Sequence, residues 1–384
     1  MSAPSIPSLK FVVSIEDKQP MIWQLAVFLE SLHGKLPPAW ETIVVVCNDS
    51  TELSTPLSQI LSDHQVRHFC TVNHAQQQNI DFIGRGREYF PLNKITALEV
   101  VAAHVKASDM VCLCDVDVFL YGDLNTEAFP ARDALCDNWL INKPLFFSNR
   151  RRAEGVDLHK LLEAIGSRRK FQGGGVVIFL RGETVQNRAF VRDCFRFAQV
   201  LFLLGRIKNV RAQWIAEMPA YALSLTAHDI DYDVHQRPEF SVEQQSDRVI
   251  SQGSLYHYFA DGAFWGSSWA KGHFRCRDLL EADLDRFRRL AQSDHEKYFF
   301  ALAEKAGKRL DGDLRTSHHA GGRPPIRRRV SRWFEERIMD RLRYLRYHAL
   351  KAMDPQAAGR RALQLPTAVS LLYRALSPIR LRRR

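Results

Sequence analysis

Residues 92–124 of this 384-residue chain read LNKITALEVVAAHVKASDMVCLCDVDVFLYGDL, and this stretch decides the fold. Its first half, residues 92–107, has the apolar spacing of a helix, and its second half has the pattern of a buried strand that contains two aspartates, Asp115 and Asp117. If the strand continues through both, their side chains point to the same face. The two carboxylates would then repel each other unless a cation lay between them.

Strands and helices also alternate before this stretch. The runs at residues 10–16 and 42–49 are β-branched, each is followed by a helical pattern, and residues 66–72 form a third predicted strand. This order predicts an α/β fold with a mainly parallel sheet and helices on both faces. In such sheets ligands bind at the carboxyl ends of the strands, where Asp115 and Asp117 are expected.

The paired aspartates predict a bound divalent cation. Apolar residues flank the pair on both sides, so ionised carboxylates would be partly desolvated and would need a compensating charge. Oxygen ligands of this kind favour Mg²⁺ or Mn²⁺, which keep open positions for substrate phosphates. The alternative is a strand end at which one aspartate caps the next turn and the other is solvated.

A second segment, FQGGGVVIFL at residues 171–180, places three glycines before a β-branched strand pattern. Glycines at 173–175 let the backbone approach a ligand closely and expose N–H groups, which suits a sugar or a pyrophosphate. The alternative is a flexible turn that leads into a buried strand.

Together these segments resemble the glycosyltransferases of the GT-A fold, in particular the family that includes glycogenin and the bacterial lipopolysaccharide glucosyl- and galactosyltransferases. In that family a helix with an early lysine leads into a strand and a DxD motif, as residues 92–124 do with Lys94 at the lysine position. The resemblance implies a nucleoside-diphosphate sugar donor and a glycan or lipid-linked acceptor. It also implies that transfer retains the anomeric configuration.

The resemblance further implies roles for individual residues. Asp115, Asp117 and His257 correspond to the metal ligands, and one imidazole beside two carboxylates favours Mn²⁺ over Mg²⁺. Glu217 corresponds to the catalytic acidic residue that faces the reacting sugar, although a glutamate in a first helical turn also complements the helix dipole. For His257 the alternative is a core histidine. The implied substrate-binding residues are Lys94, Gln172, Gly173, Gly174, Gly175 and Lys271.

Other enzyme classes share parts of this pattern. Asp115, Asp117 and Val118 match the DxDx[TV] motif of the haloacid dehalogenase-type phosphohydrolases. In that class the motif closes the first strand of the domain, whereas strand and helix units precede it here. A nucleotidyltransferase is a further alternative, but residues 10–19 lack its glycine-rich phosphate loop.

The carboxyl-terminal part of the chain carries the positive charge. Residues 323–384 contain seventeen Lys and Arg against four acidic residues, a net charge of +13, whereas the whole chain has +11. Residues 330–349 place apolar side chains on one stripe of a predicted helix with arginines opposite, which indicates binding to an anionic membrane surface. The alternatives are a helix packed on the catalytic domain and a nucleic-acid-binding arm. No zinc-finger, RRM or recognition-helix pattern supports the second, and no nucleic acid is expected as a partner.

These changes in composition predict three regions: a GT-A-like catalytic domain at residues 1–280, a charged helical segment and linker at 281–322, and a basic amphipathic helical tail at 323–384. The opening MSAPSIPSLK lacks the apolar core of a signal peptide, and no window reaches the roughly 18 apolar residues of a membrane span. Seven cysteines, an odd number, show no disulfide framework. We therefore expect a cytoplasmic protein, peripheral at the inner face of the membrane.

Overall fold

The computed structural model describes residues 8–48, 50–73, 91–136, 177–207, 216–235, 253–257 and 294–309. The predicted substrate-binding residues at 172–175, Lys271 and the basic tail at 323–384 lie outside these ranges.

A mainly parallel sheet forms the centre of the fold. The strands are β1 (Leu9–Ile15), β2 (Glu41–Cys47), β3 (Arg67–Thr71), β4 (Met110–Cys114), β5 (Val118–Tyr121), β6 (Ala134–Cys136), β7 (Ile178–Arg181), β8 (Asp233–His235) and β9 (Ser254–His257). Seven of them pair in the order β3-β2-β1-β4-β7-β6-β8, and β5 and β9 form a separate two-stranded ribbon. In the main sheet β7 alone runs antiparallel to its neighbours. The predicted α/β class with a mainly parallel sheet is confirmed.

Seven helices accompany the sheet in the described part of the chain. They are α1 (Gln19–Leu32), α2 (Thr55–Asp63), α3 (Leu92–Val101), α4 (Gly182–Gln186), α5 (Arg188–Ile207), α6 (Glu217–Ala227) and α7 (Asp294–Arg309). Pro20 and Pro56 stand in the first turns of α1 and α2, where a missing N–H costs nothing. None of these helices has both the length and the apolar composition needed to cross a membrane.

Helix α3 ends earlier than the sequence predicted. The apolar spacing indicated a helix up to residue 107, but α3 stops at Val101. The chain then turns back towards β4, and Asp109 Oδ2 accepts a hydrogen bond from the backbone N of Lys106 in that turn at 2.8 Å. The local pattern did not reveal this turn because its residues are compatible with a helix.

The order of the strands places a crevice between β1 and β4. The chain moves from β1 through β2 to β3 in one direction, and then crosses back through α3 to β4 on the other side of β1. Because such crossovers are right-handed, α1 and α2 lie on one face of the sheet and α3 on the other. Ligands bind at the carboxyl ends of the strands at such a reversal.

The core is densest along β1, β2 and β4. Val12, Val13, Val44, Val45 and Leu113 are fully shielded from solvent. Strands covered on both faces read as continuous apolar runs rather than as an alternating pattern, which is the pattern of these three. The polar residues of the candidate site follow the carboxyl ends of these buried strands.

Helix α7 belongs to the same packed body. It contacts α1 and β5. At its end, Arg309 Nε donates a hydrogen bond to Glu30 Oε2 of α1 at 2.7 Å. Part of the charged segment at 281–322 therefore packs against the sheet domain, while the division of the chain at residues 280 and 322 stays a prediction.

Candidate active site

Asp115 and Asp117 lie at a junction between two sheets. The sequence suggested one strand running through both aspartates, and this expectation is wrong: β4 ends at Cys114, the chain turns, and β5 begins at Val118. The reason is that β4 pairs inside the main sheet whereas β5 pairs with β9 in the ribbon. The two carboxylates are thus held together by a turn and not by the alternation of a strand.

His257 joins the two aspartates through the ribbon. It is the last residue of β9 and pairs with Val118, the residue that follows Asp117. Its Nε2 lies 3.1 Å from Asp117 Oδ1 and 3.8 Å from Asp115 Oδ2. One ligand atom from each of the three residues lies within 4.8 Å of the others. Residues 140 positions apart in the chain therefore form one cluster.

This cluster fits a divalent cation. The ligand atoms of one octahedral ion, each about 2.1 Å from it, lie about 3 Å apart, close to the spacing found between His257 and Asp117. Asp117 and His257 are buried, with 6% and 4% of their surfaces exposed, whereas the side chain of Asp115 is 25% exposed. The more accessible Asp115 leaves one side of the cluster open to a ligand. Two carboxylates and one imidazole are a donor set that such ions accept.

Lys94 forms ion pairs with two carboxylates, those of Asp115 and Glu217. Its Nζ lies 2.8 Å from Asp115 Oδ1 and 3.2 Å from Glu217 Oε1. Lys94 stands in the first turn of α3 and Glu217 begins α6, so the pair joins two helices at the edge of the sheet. Lys94 is 4% exposed and Glu217 2%. A buried charge is tolerated only with such partners.

Burial and charge act in opposite directions on Lys94. Burial by itself lowers the pKa of a lysine, because it disfavours the charged form. The attraction to Asp115 and Glu217 outweighs burial and raises the pKa of Lys94 above its ordinary value. Lys94 therefore stays positively charged at neutral pH.

Tyr221 is one turn beyond Glu217 on α6. Its hydroxyl is buried and has no hydrogen-bond partner among the described residues. Burial raises the pKa of Tyr221, and the negative charges nearby, including Glu217 and Asp115, act in the same direction. The sequence offered no signal for Tyr221, because an aromatic residue at this spacing is typical of a helix packed in a core.

A second polar cluster lies at the carboxyl end of β1, beside the first. Glu16 is buried, and its Oε1 accepts hydrogen bonds from Asn73 Nδ2 at 2.7 Å and from Asn93 Nδ2 at 3.2 Å. Lys18 Nζ lies 2.5 Å from Glu16 Oε2. The Oδ1 atom of Asn93 is buried without a hydrogen-bond partner in the described part of the chain. Asn93 of this cluster and Lys94, which contacts Asp115, are neighbours in the first turn of α3. This helical turn therefore connects the cluster to the aspartate pair.

Asp17, the residue after Glu16, contacts Ser54. Asp17 accepts two hydrogen bonds from Ser54, one from its backbone N and one from its hydroxyl, each at 2.6 Å. This contact ties the end of β1 to the start of α2. A glutamate and an aspartate directly after a buried strand were the signal available in the sequence for these contacts.

The structure thus brings together five of the residues predicted for the site. The described members are Lys94, Asp115, Asp117, Glu217 and His257. Their individual roles remain proposals. Gln172, Gly173, Gly174, Gly175 and Lys271 lie outside the described residues.

Comparisons with known proteins find partial similarity to solved structures at low sequence identity. The sequence matches no protein-family model and no curated protein sequence at the significance threshold. The apo structure of WbbM, a bifunctional glycosyltransferase, is similar over 68% of this chain, with 12% identity and a TM-score of 0.41. The chain spans about half of WbbM, 47% of its length.

Two further solved structures are similar at the same level. The galactosyltransferase LgtC in complex with donor and acceptor sugar analogues is similar over 76% of this chain and 99% of its own, with 11% identity and a TM-score of 0.40. Mouse xyloside xylosyltransferase 1 in its apo form is similar over 65% of this chain and 96% of its own, with 12% identity and a TM-score of 0.38. All three of these proteins are glycosyltransferases.

Proposed function

We propose that this chain is a metal-dependent glycosyltransferase that moves a sugar from a nucleoside-diphosphate donor to a glycan or lipid-linked acceptor. The observation that carries the proposal is the meeting of Asp115, Asp117 and His257 at the carboxyl edge of a mainly parallel sheet. This edge is where open α/β sheets bind their ligands. A cation site at this position suits a substrate that carries phosphates.

We assign Asp115, Asp117 and His257 as the metal ligands, with Mn²⁺ as the preferred ion and Mg²⁺ as the alternative. The preference rests on the imidazole, because Mg²⁺ favours oxygen ligands more strictly than Mn²⁺ does. When bound, the ion supplies positive charge against the diphosphate leaving group.

We assign Lys94 to the donor and Glu217 to the reacting sugar. The ion pairs at 2.8 Å and 3.2 Å hold the Lys94 ammonium between Asp115 and Glu217, so that its charge has a fixed position beside the proposed metal site. Glu217 is held against Lys94 and is an acceptor for a sugar hydroxyl. Transfer with retention of the anomeric configuration is the outcome that the resemblance favours.

The remaining assignments follow the resemblance. We place the nucleotide base at the carboxyl end of β1. The buried cluster of Glu16, Asn73 and Asn93 lies at that edge and supports this placement, because the Oδ1 atom of Asn93 has no hydrogen-bond partner among the described residues. Gly173, Gly174 and Gly175 are assigned to the sugar and acceptor pocket. Gln172 and Lys271 complete the proposed substrate contacts.

The basic tail is assigned to a membrane surface. Its net charge of +13 at residues 323–384 is the observation behind this assignment. Each Lys or Arg near an anionic lipid surface contributes about 1 kcal/mol, so a cluster of them gives stable attachment. The protein would then work at the cytoplasmic face, next to a lipid-linked or envelope glycan acceptor.

A binding and turnover experiment tests the reaction. Purified protein is titrated with uridine and guanosine diphosphate with and without Mn²⁺, and then incubated with a panel of nucleotide sugars in the absence of acceptor. We expect metal-dependent binding of one diphosphate and slow hydrolysis of one nucleotide sugar to it, with water taking the place of the acceptor. Asp117→Asn should abolish both while the protein stays folded. The control is Asp123→Asn, the same change at an exposed aspartate after β5, which should leave both unchanged.

Two other outcomes of these experiments would contradict the proposal. If wild-type protein binds no diphosphate with Mn²⁺ but cleaves a phosphate monoester through a phosphorylated Asp115, the protein is a phosphohydrolase and the proposal is wrong. Salt-dependent binding of DNA without any nucleotide binding would instead indicate a nucleic-acid-binding protein.

A further inference from the structure

We propose that Lys35 and Tyr298 are positioning residues for the metal site, acting through the β5–β9 ribbon. This inference rests on the proposed function, because it assumes that Asp115, Asp117 and His257 bind a cation. It extends the functional unit to helix α7, which lies beyond the predicted end of the catalytic domain at residue 280.

The metal ligands come from two separate sheets. Asp115 follows β4 of the main sheet, whereas Asp117 precedes β5 and His257 ends β9 in the ribbon. The pairing of Val118 with His257 fixes Asp117 and His257 relative to each other. The turn between β4 and β5 links Asp117 to Asp115, and the ribbon decides where His257 lies relative to both. The contacts that hold the ribbon against the main sheet therefore also affect the distances between His257 and the two aspartates.

Helix α1 and the residues after it hold the ribbon at two points. In the middle of β5, the backbone N of Leu120 donates a hydrogen bond to Ser31 Oγ at 2.9 Å. At its far end, Lys35 Nζ donates to the carbonyl oxygen of Gly122 at 2.8 Å and to the hydroxyl of Tyr298 at 2.6 Å. The Lys35 ammonium also lies 5.4 Å from the centre of the Tyr298 ring. Lys35 thus joins α1, the end of β5 and α7 in one contact.

Aromatic packing from α7 covers the same part of the ribbon. The Tyr298 ring lies 5.2 Å from that of Tyr121 and 6.2 Å from that of Phe119. The Phe299 ring lies 5.6 Å from Phe119, which in turn packs 5.1 Å from Tyr256 of β9. Both strands of the ribbon are therefore linked to α7, directly through β5 and from there to the strand that carries His257.

The other end of α7 provides an internal control. Arg309 is eleven residues after Tyr298, roughly 16 Å along the helix. It donates to Glu30 at 2.7 Å, and its carbonyl oxygen accepts from Gln59 at 3.1 Å. Arg309 therefore fastens α7 to the domain without touching the ribbon. Loss of Arg309 should weaken the packing of the helix, but should not displace Asp117 or His257.

The test compares these positions in the full-length protein by titration with Mn²⁺ alone, followed through the electron paramagnetic resonance signal of the free ion. We expect Tyr298→Phe, which keeps the ring and removes the hydroxyl, and Lys35→Met to weaken Mn²⁺ binding several-fold, less than the roughly 10- to 100-fold loss typical when a direct hydrogen-bond partner of a metal ligand is removed. Lys35→Arg keeps a donor and should restore most of the affinity. Arg309→Gln should leave it at the wild-type value, and melting temperatures of all variants are measured in parallel.

The outcomes separate the inference from the function on which it rests. If Asp117→Asn abolishes Mn²⁺ binding while Tyr298→Phe and Lys35→Met bind as tightly as wild type, the positioning role is wrong and the metal site stands. Equal weakening in Arg309→Gln at a similar melting temperature also overturns it, because α7 would then act only through overall stability. If wild-type protein binds no Mn²⁺, the proposed function fails and this inference with it.

Discussion

The ammonium of Lys94 lies 2.8 Å from the carboxylate of Asp115 at the edge of the sheet, and it is shielded from solvent on all sides. The same ammonium lies 3.2 Å from Glu217. One buried cation thus separates two acidic groups from different elements. The stability of the fold and the arrangement of the candidate site both depend on this contact.

Removing the Lys94 ammonium should lower the free energy of unfolding. Lys94→Met leaves Asp115 and Glu217 close together without a positive charge, and breaking a buried ion pair in this way costs about 3–5 kcal/mol of the free energy of unfolding. Adding Glu217→Gln to Lys94→Met should recover part of the loss, because one buried charge is removed. Both are measured by urea denaturation. Lys10→Met is the control: it breaks the more exposed Lys10–Glu41 pair at 3.0 Å and should cost about 1 kcal/mol or less. Equal effects at Lys94 and Lys10 would contradict the prediction.

A side chain added at Gly253, in the turn before β9, should destabilise the folded protein. Gly253 has φ +90°, and a Cβ added there would lie 2.8 Å from Asn125 Cβ and 2.9 Å from the carbonyl oxygen of Asp123. Gly34 has φ +70° with nothing within 4 Å of an added Cβ. Gly34→Ala should therefore cost only the backbone penalty of about 1–2 kcal/mol.

Gly253→Ala should lose about 1–3 kcal/mol more, because the added methyl is forced into its neighbours. Thermal and urea unfolding of the two variants measure the difference. Because Gly253 also donates a backbone hydrogen bond to Tyr121 at 2.7 Å, the same change should disturb the ribbon that carries His257. A Gly253→Ala protein as stable as Gly34→Ala would show that the turn can relax.

Acid should destabilise the protein partly through His64. Burial lowers the pKa of His64 below its ordinary value of 6.5, although Glu30 opposes the shift. The unfolded chain therefore takes up a proton at a pH where the folded chain does not. The stability from neutral His64 is complete above about pH 6.5 and is lost as the pH falls through the lowered pKa of the folded state, with a slope of up to about 1.4 kcal/mol per pH unit.

The variant His64→Gln should flatten this dependence. The free energy of unfolding is measured by urea denaturation at a series of pH values from neutral downward, because the stability from neutral His64 is lost as the pH falls below about 6.5. The readout is the slope and not the absolute stability, because the change also removes the ring contact between His64 and His33 at 5.3 Å. His68→Gln, at an exposed position in β3, should keep the wild-type slope. An unchanged slope in His64→Gln would refute the assignment.

The tail should be needed for membrane binding and not for chemistry. Deleting residues 323–384 removes a net charge of +13. We expect the truncated protein to stay in the supernatant when it is sedimented with phosphatidylserine vesicles, and to keep its activity on soluble acceptors. Neutral phosphatidylcholine vesicles are the control, and salt should weaken the binding of the full-length chain because it screens surface charge. Full-length protein that ignores anionic vesicles at low salt would exclude the anchor.

The sequence by itself determined the order of the elements and the place of the first two proposed metal ligands. Apolar periodicity is a local signal, so the runs that became β1, β2, β4 and α3 could be recognised one at a time. An alternating order of strands and helices then leaves few arrangements other than a parallel sheet, and in that sheet Asp115 must lie at the carboxyl edge. The contribution of His257 came only from a resemblance.

Tertiary structure alone decided which of these residues meet. The break between Asp115 and Asp117 arises because β5 finds its partner in β9, more than a hundred residues away, and no local pattern encodes that pairing. The contact of Lys94 with Glu217 depends likewise on how α3 and α6 dock against the sheet. The contact of Tyr298 with the ribbon depends on α7, a helix that the composition of the sequence assigned to the region after the catalytic domain. Such contacts are selected by the burial of whole surfaces, which a single segment of sequence does not specify.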